Sequence, residues 1–274
     1  MADVKNYGRL SCHGRINRAF LEAEHLPLNA CSRYILISDC HRGTGTENDN
    51  FLKNQHLYYA ALDYYFTRGF YYLEIGDGEE LWENRSMRRI KECHSNVYCK
   101  FEEFAKRCRI TRIYGNHNME LKSELGEAVI LDNQEGGRDI CILHGHQADF
   151  FNSVCWRLSR FLVRYVWKPL ERFGVNDPTS AARNYRKTHR YENCLVRWTR
   201  NNNCYLAAGH FHRPRLSEKD ELYLNTGSCV HPWGITGIEI ENMRLTLIKW
   251  TMATRADMTL YVAREVLAGP VEIV

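Results

Sequence analysis

The chain has no long apolar run, so nothing in its 274 residues predicts a membrane-spanning helix. Its opening stretch, MADVKNYGRLSCHGR, lacks the apolar core of a signal peptide. No CxxC pair, internal repeat or low-complexity segment occurs. Nor is there a large excess of one charge: 37 basic against 33 acidic residues leave a formal net charge of +4. These absences argue against a membrane protein, a thiolate zinc module, a solenoid and a strongly polyanion-binding protein. The 11 cysteines are odd in number and scattered, which predicts reduced, mostly buried thiols in a cytoplasmic protein.

A 44% hydrophobic content can build a substantial core. Strand-like runs are predicted at Tyr34–Ile37, Tyr71–Ile75, Ile110–Tyr114, Ile140–Leu143, Tyr205–Ala208, Leu222–Leu224, Ile235–Ile240, Leu245–Trp250 and Thr259–Val262. Helical spacing occurs over Phe51–Phe66 and much of Leu81–Cys108. Early alternation of strand and helix predicts an α/β fold with parallel pairing, and the strand-rich last third predicts mixed sheets. Residues 147–203 differ. They show no strand and two amphipathic stretches, Phe151–Leu170 and Ala181–Trp198, separated by the breakers Gly174 and Pro178. This segment carries 11 basic and 4 acidic residues, a net of +7, and the remainder nets 26 − 29 = −3. It reads as a helical cap inserted into a single domain spanning 1–274.

The stretch RYILISDCHR sets the functional question, because a buried strand runs straight into a carboxylate and an imidazole. Such groups are costly to desolvate without a partner. The pattern recurs. LISDCH supplies Asp39 and His41, LEIGDGEELW supplies Asp77, and RIYGNHN supplies Asn116 and His117. CILHGH supplies His144, and LAAGHFHRP supplies His210 and His212. Ligands in open α/β sheets bind beyond the carboxyl ends of strands. Side chains two apart on extended chain share a face, so Asp39 and His41, and likewise His210 and His212, are expected to point together. Carboxylate, amide oxygen and imidazole without thiolate favour Mn, Fe or Zn. Seven such groups exceed one ion and suit two, with Asp77 shared.

The order DxH, GDxxE, GNH, HGH, GHxH resembles the calcineurin-like metallophosphoesterase superfamily over roughly residues 33 to 250. GDGEELW and GHFHRP look most like its UDP-2,3-diacylglucosamine pyrophosphatase branch. The resemblance implies a four-layer α-β-β-α sandwich. It also implies one ion on Asp39, His41, Asp77 and His212 and another on Asp77, Asn116, His144 and His210, with Mn favoured. His146 falls in the motif region without being an expected ligand. In place of the usual GNHD or GNHE the chain reads GNHN, with Asn118 at the acidic position. Glu80, the acid of GDxxE, becomes the candidate partner of a catalytic His117.

The implied activity is hydrolysis of a phosphoester or pyrophosphate bond by a metal-bridging hydroxide, with His117 as general acid. A small phosphorylated substrate, nucleotide-linked, is the favoured partner. The basic stripe Arg157, Arg160, Arg164 and Lys168 on one face of the first cap helix would bind it. Peripheral membrane contact is compatible with the apolar face opposite: Phe151, Cys155, Leu158, Leu162 and Tyr165. Trp156, Trp167 and Trp198 would either stack on a nucleobase or fill the cap. The alternatives are a protein phosphatase or nuclease of the same fold and, below them, a non-catalytic scaffold. The modest charge argues against nucleic acid.

Overall fold

A computed structural model of the chain describes residues 10–46, 49–167, 185–216 and 221–274. Two mixed sheets form its middle. The larger runs β11-β10-β9-β2-β3-β4 and the smaller β1-β5-β6-β7-β8. The larger contains β2 (Arg33–Ile37), β3 (Tyr71–Ile75), β4 (Ile110–Ile113), β9 (Ile235–Glu241), β10 (Arg244–Thr254) and β11 (Leu260–Glu272). The smaller contains β1 (Glu24–Leu28), β5 (Ala128–Asn133), β6 (Ile140–Leu143), β7 (Tyr205–Ala208) and β8 (Tyr223–Asn225). Strands β2, β3 and β4 are mutually parallel, and so are β6, β7 and β8. The site-bearing segments therefore leave the sheets at their carboxyl ends.

Strand alternation builds the layers. Tyr34 and Leu36 face the core between the sheets, with Ile140, Ile142, Tyr205 and Ala207 opposite. Ile35 and Ile37 face outward onto α2 (Gln55–Thr67) and α4 (Ser95–Lys106), which bury Leu57, Tyr58, Ala61, Leu62, Tyr65, Val97, Phe101 and Phe104. Cys141, Leu143, Leu206 and Ala208 face the other way, onto α1 (Cys12–Ala19) and α7 (Tyr185–Asn202). The result is the α-β-β-α sandwich. Among the described residues no helix is long and apolar enough to cross a membrane.

Three expectations need correction. Strands β1 and β5 were not foreseen: β1 reads EHLPL, mostly exposed or half-buried and carrying a proline, so it lacks a strand signature. The thiols are neither all free nor mostly buried. Cys12 of α1 and Cys194 of α7 form a disulfide, because both helices lie on the same outer face. Of the free cysteines, Cys31, Cys93, Cys99 and Cys108 are exposed. The stretch predicted as one helix from Phe151 is broken into α5 (Phe150–Ser153), α6 (Trp156–Leu162) and a π turn, Val163–Trp167. Its remainder, with Lys168, Gly174 and Pro178, lies outside the described residues, as does the side chain of Trp167. The cap's second half, α7, covers the outer face of the smaller sheet, where Trp198 stacks on Phe20 at 5.4 Å.

Candidate metal centre

Each predicted ligand stands just past a strand end, and five do so in a conformation that L residues rarely adopt. Asp39, His41, Asp77, His210 and His212 all have φ between 49 and 67°. The chain kinks at each one and turns its side chain into a common space. Convergence therefore comes from left-handed kinks, since β2 ends at Ile37, before Asp39 and His41. The kinks are pinned by a backbone ladder: Asp39 N–H to Gly76 O (3.1 Å), His41 N–H to Asp77 O (2.9 Å) and Arg42 N–H to Gly78 O (3.0 Å). Glycine is required where loops close over ligands. A Cβ on Gly115 would lie 2.2 Å from Asp77 Oδ1, and one on Gly209 2.4 Å from Asp39 Oδ2.

Donor atoms gather in two adjoining groups, Asp39, His41 and His212, and Asp77, His144 and His210, each within 4.8 Å. Asp39 Oδ1 lies 3.0 Å from His212 Nε2 and 3.8 Å from His41 Nε2. Asp77 Oδ2 lies 3.0 Å from His144 Nε2 and 3.9 Å from His41 Nε2, so this oxygen touches both groups. Five buried atoms here make no well-directed hydrogen bond, although two of them, Asp39 Oδ1 and His144 Nε2, have the 3.0 Å ion-pair contacts just given: Asp39 Oδ1, His41 Nε2, Asn116 Oδ1, His144 Nε2 and His210 Nε2. Buried polar atoms are almost always satisfied. Four of them belong to the two groups above and Asn116 follows the end of β4; all are oxygen or imidazole nitrogen, a donor set that suits divalent cations. The other ring nitrogens are fixed as metal ligation requires: His144 Nδ1 donates to Ile75 O (3.0 Å), and His41 Nδ1 meets Glu80 Oε2 (2.8 Å).

The electrostatics show a space that draws positive charge: against burial, the carboxylates of Asp39 and Glu80 push His41 up and those of Asp77 and Asp39 push His144 up. Burial alone would raise Asp39, but His212 and His144 hold it well below the usual carboxylate range. Asp77 is likewise held low against burial, first by His144. Burial, reinforced by His144, keeps His210 below the usual imidazole value and thus neutral for ligation. The site holds ionised carboxylates in a space that needs positive charge.

His117 stands beside this cluster and is partly exposed. Its Nδ1 meets Glu80 Oε2 at 2.7 Å, and its ring stacks on Trp82 at 4.3 Å. Glu80 thus holds both His41 and His117, and it also accepts the backbone N–H of Trp82 (3.1 Å). Burial would raise this carboxyl, yet His117 and His41 bring it down to about 2. A donor atom of His117 lies within 4.8 Å of ones on His41 and Asp77, so its ring can reach the ligand cluster as well.

Asn118 is buried, accepting from Gly115 N–H (2.7 Å) and donating to Glu79 Oε2 (3.0 Å). Glu79 belongs to a charge cluster that sequence reasoning missed. Arg42 contacts Glu74 (2.7 Å) and Glu79 (3.1 Å), Arg112 contacts both glutamates, and Tyr98 donates to Glu79 (2.8 Å). Glu74 was the available signal: it sits inside the apolar strand YYLEI, where a carboxylate demands a partner. Also missed were Ser38, which donates to Asp39 Oδ2 and meets Thr226 (2.7 Å), and Asp149, whose Oδ2 lies 3.9 Å from His210 Nε2. His146 is buried with Nδ1 unpartnered, and burial pushes it well below the usual imidazole range.

The arginine stripe divides. Arg164 donates to the carbonyls of Trp82 (2.6 Å), Leu81 (2.6 Å) and Asn84 (3.3 Å), and Arg160 pairs with Glu120. Arg160 thus ties α6, and Arg164 the π turn after it, to the loops carrying Asn118 and Glu80. Arg157 is exposed and, among the described residues, makes no ion pair; it leans on Trp156 at 5.5 Å. Several apolar residues of this segment point outward, with Phe151 58% and Leu158 55% exposed.

No protein-family model matches the chain, and no curated protein matches it in sequence. Among solved structures it is similar to Vps29 of Chaetomium thermophilum, with 12% identity, 87% of this chain and 97% of that one covered, and a TM-score of 0.45. It is also similar to a protein serine/threonine phosphatase from Saccharomyces cerevisiae, with 13% identity, 97% and 91% covered, and a TM-score of 0.39. Both likenesses are too loose to transfer any property.

Proposed function

We propose that the protein is a divalent-metal-dependent hydrolase of phosphoester or phosphoanhydride bonds. The observation that carries this is the set of five buried donors at the strand ends that make no well-directed hydrogen bond. Asp39, His41 and His212 would hold one ion and Asn116, His144 and His210 another, with Asp77 between them. Two such ions lower the pKa of bound water and neutralise charge on phosphoryl oxygens. Manganese is the favoured metal, since the donors are carboxylate, amide oxygen and imidazole.

The chain's own residues supply the rest. Hydrolysis adds water across a P–O bond, and the departing oxygen needs a proton. With Nδ1 of His117 engaged by Glu80, Nε2 is the nitrogen left to deliver that proton. Glu80 orients the ring, and Trp82 covers one of its faces. Among the described residues of the stripe, Arg157 is the cation left for an anionic group distant from the reacting phosphorus. A nucleotide-linked pyrophosphate suits that arrangement, because it offers a second phosphate away from the bond broken.

The test is a hydrolysis panel with added Mn²⁺ comparing a phosphomonoester, a phosphodiester and a UDP-sugar pyrophosphate. Turnover of at least one, abolished by chelation and restored by metal, is expected. No turnover of any of the three by protein shown to bind metal would overturn the reading and favour a non-catalytic scaffold.

A further inference from the structure

A second cluster of ligand-type side chains lies outside this centre. Asp49, Cys93 and His94 each offer a donor atom within 4.8 Å of the other two. They come from separate elements. Asp49 belongs to the loop that leaves His41, and Cys93 and His94 stand at the junction of α3 (Met87–Cys93) and α4. His94 is fully buried and Asp49 is 6% exposed, whereas Cys93 opens to solvent.

His94 Nε2 meets Asp49 Oδ2 at 2.7 Å, but this pairing does not satisfy the two groups. Nδ1 of His94 and Oδ1 of Asp49 are buried without a hydrogen-bond partner. Such orphans are costly unless something meets them. The loop is also shaped to the thiol. Gly45 has φ +73°, and a Cβ there would lie 2.9 Å from Cys93 Sγ. Only glycine allows both the left-handed turn and the close approach.

We propose that Asp49, Cys93 and His94 bind a thiophilic divalent cation of the zinc class. One carboxylate, one imidazole and one thiolate make a three-residue set for a tetrahedral ion, with the exposed side at Cys93 admitting water as fourth ligand. The Cys93 proton is released to solvent as the thiolate forms. The ion would staple the loop after His41 to the α3–α4 junction, a structural role separate from hydrolysis. The ligand chemistry distinguishes the two sites, since the strand-end centre contains no thiolate.

Cobalt substitution reads that difference. Chelator-stripped protein is titrated with Co²⁺ and followed by absorption. The wild type should develop a near-ultraviolet sulfur-to-cobalt charge-transfer band whose final intensity corresponds to one cobalt per chain. Cys93→Ser should abolish that band and lower bound cobalt by one per chain, while keeping the visible absorption of the nitrogen–oxygen centre. Cys99→Ser, at another exposed thiol, should leave the band intact. Cys93 is exposed, so its replacement by Ser leaves the core untouched. Absence of the band in cobalt-saturated wild type, or its persistence in Cys93→Ser, would overturn the proposal whether or not the protein hydrolyses anything.

Discussion

Replacing Asn118 by Asp would restore a carboxylate at the position where the resemblance leads one to expect it, and the structure says that this should harm the protein. Asn118 Nδ2 donates to Glu79 Oε2 at 3.0 Å. The surrounding cluster is balanced: Arg42 and Arg112 against Glu74 and Glu79. Asn118→Asp adds a third negative charge and removes the donor. Two unit charges at that separation repel by about 5–6 kcal/mol at an effective dielectric constant of about 20. A cheaper outcome exists. The new carboxyl can take up a proton and donate to Glu79 itself. That costs about 1.4 kcal/mol for each pH unit above its ordinary pKa of about 3.9. The penalty is therefore about 4 kcal/mol at pH 7 and about 1.5 kcal/mol at pH 5. Its sign follows from the raised folded-state pKa of the new acid: the loss grows with pH above the unfolded value. Urea unfolding of metal-free wild type and Asn118→Asp at both pH values measures it. In a Glu79→Gln background the same change restores the balance of two positive and two negative charges instead of upsetting it, and it should cost far less. A penalty under about 1 kcal/mol at pH 7, or one equal at the two pH values, would refute the account.

Three further outcomes are expected. Asp77→Asn removes the oxygen charge that lies 3.0 Å from His144 and 3.9 Å from His41, so in a Cys93→Ser background, where only the strand-end centre counts, bound metal should fall below two per chain and activity should collapse; two metals retained there would sink the sharing of Asp77. His117→Ala should keep both metals and lose turnover by about 10²–10⁴-fold, less for a nitrophenolate leaving group; loss of a metal would make His117 a ligand. Burial would raise Glu74, yet Arg112 and Arg42 hold it below the ordinary 4.5, so its stabilisation is complete above that value and fades below it. The denaturant midpoint of metal-free protein should accordingly drop as pH falls below 4.5, and a constant midpoint there would count against the charge cluster.

The strand ends were legible because two local signals coincide at each: an apolar β run, then a residue that a core does not want. Tyr71–Ile75 and Tyr205–Ala208 were read with the bounds the structure gives them. What escaped was carried by contacts distant in sequence. Ser38 meets Thr226 across 188 positions, and Cys12 meets Cys194 across 182. No window of sequence contains either pair. The Glu80–His117 contact was foreseen only through the resemblance, since nothing local ties a residue after β3 to one after β4. The stripe on α6 shows the converse failure. Helical spacing grouped Arg157, Arg160 and Arg164, but the structure breaks that helix before Arg164, and spacing cannot say that Arg164 faces three backbone carbonyls.

The left-handed ligands explain why this centre cannot be assembled piecemeal. A non-glycine residue at φ near +50° costs about 1–2 kcal/mol. Five of them together oppose folding by roughly 5–10 kcal/mol, comparable with the net stability of a whole domain. Glycine would relieve the strain, but at Asp39, His41, Asp77, His210 and His212 the side chain is the point of the kink. The strain is sustained by contacts that no kinked residue makes alone. Asp39 N–H is held by Gly76 O, and His210 N–H by Asp39 Oδ2 at 3.0 Å. His117 N–H is held by Asp77 Oδ1 at 2.8 Å. Each ligand loop thus leans on the neighbouring ligand loop, across both sheets. Relaxing one kink releases the donor or acceptor that fixes the next, so the loops hold their places together or lose them together. Cations binding the orphaned donors would stabilise that strained arrangement over any relaxed one, which couples metal affinity directly to the rigidity of the strand ends.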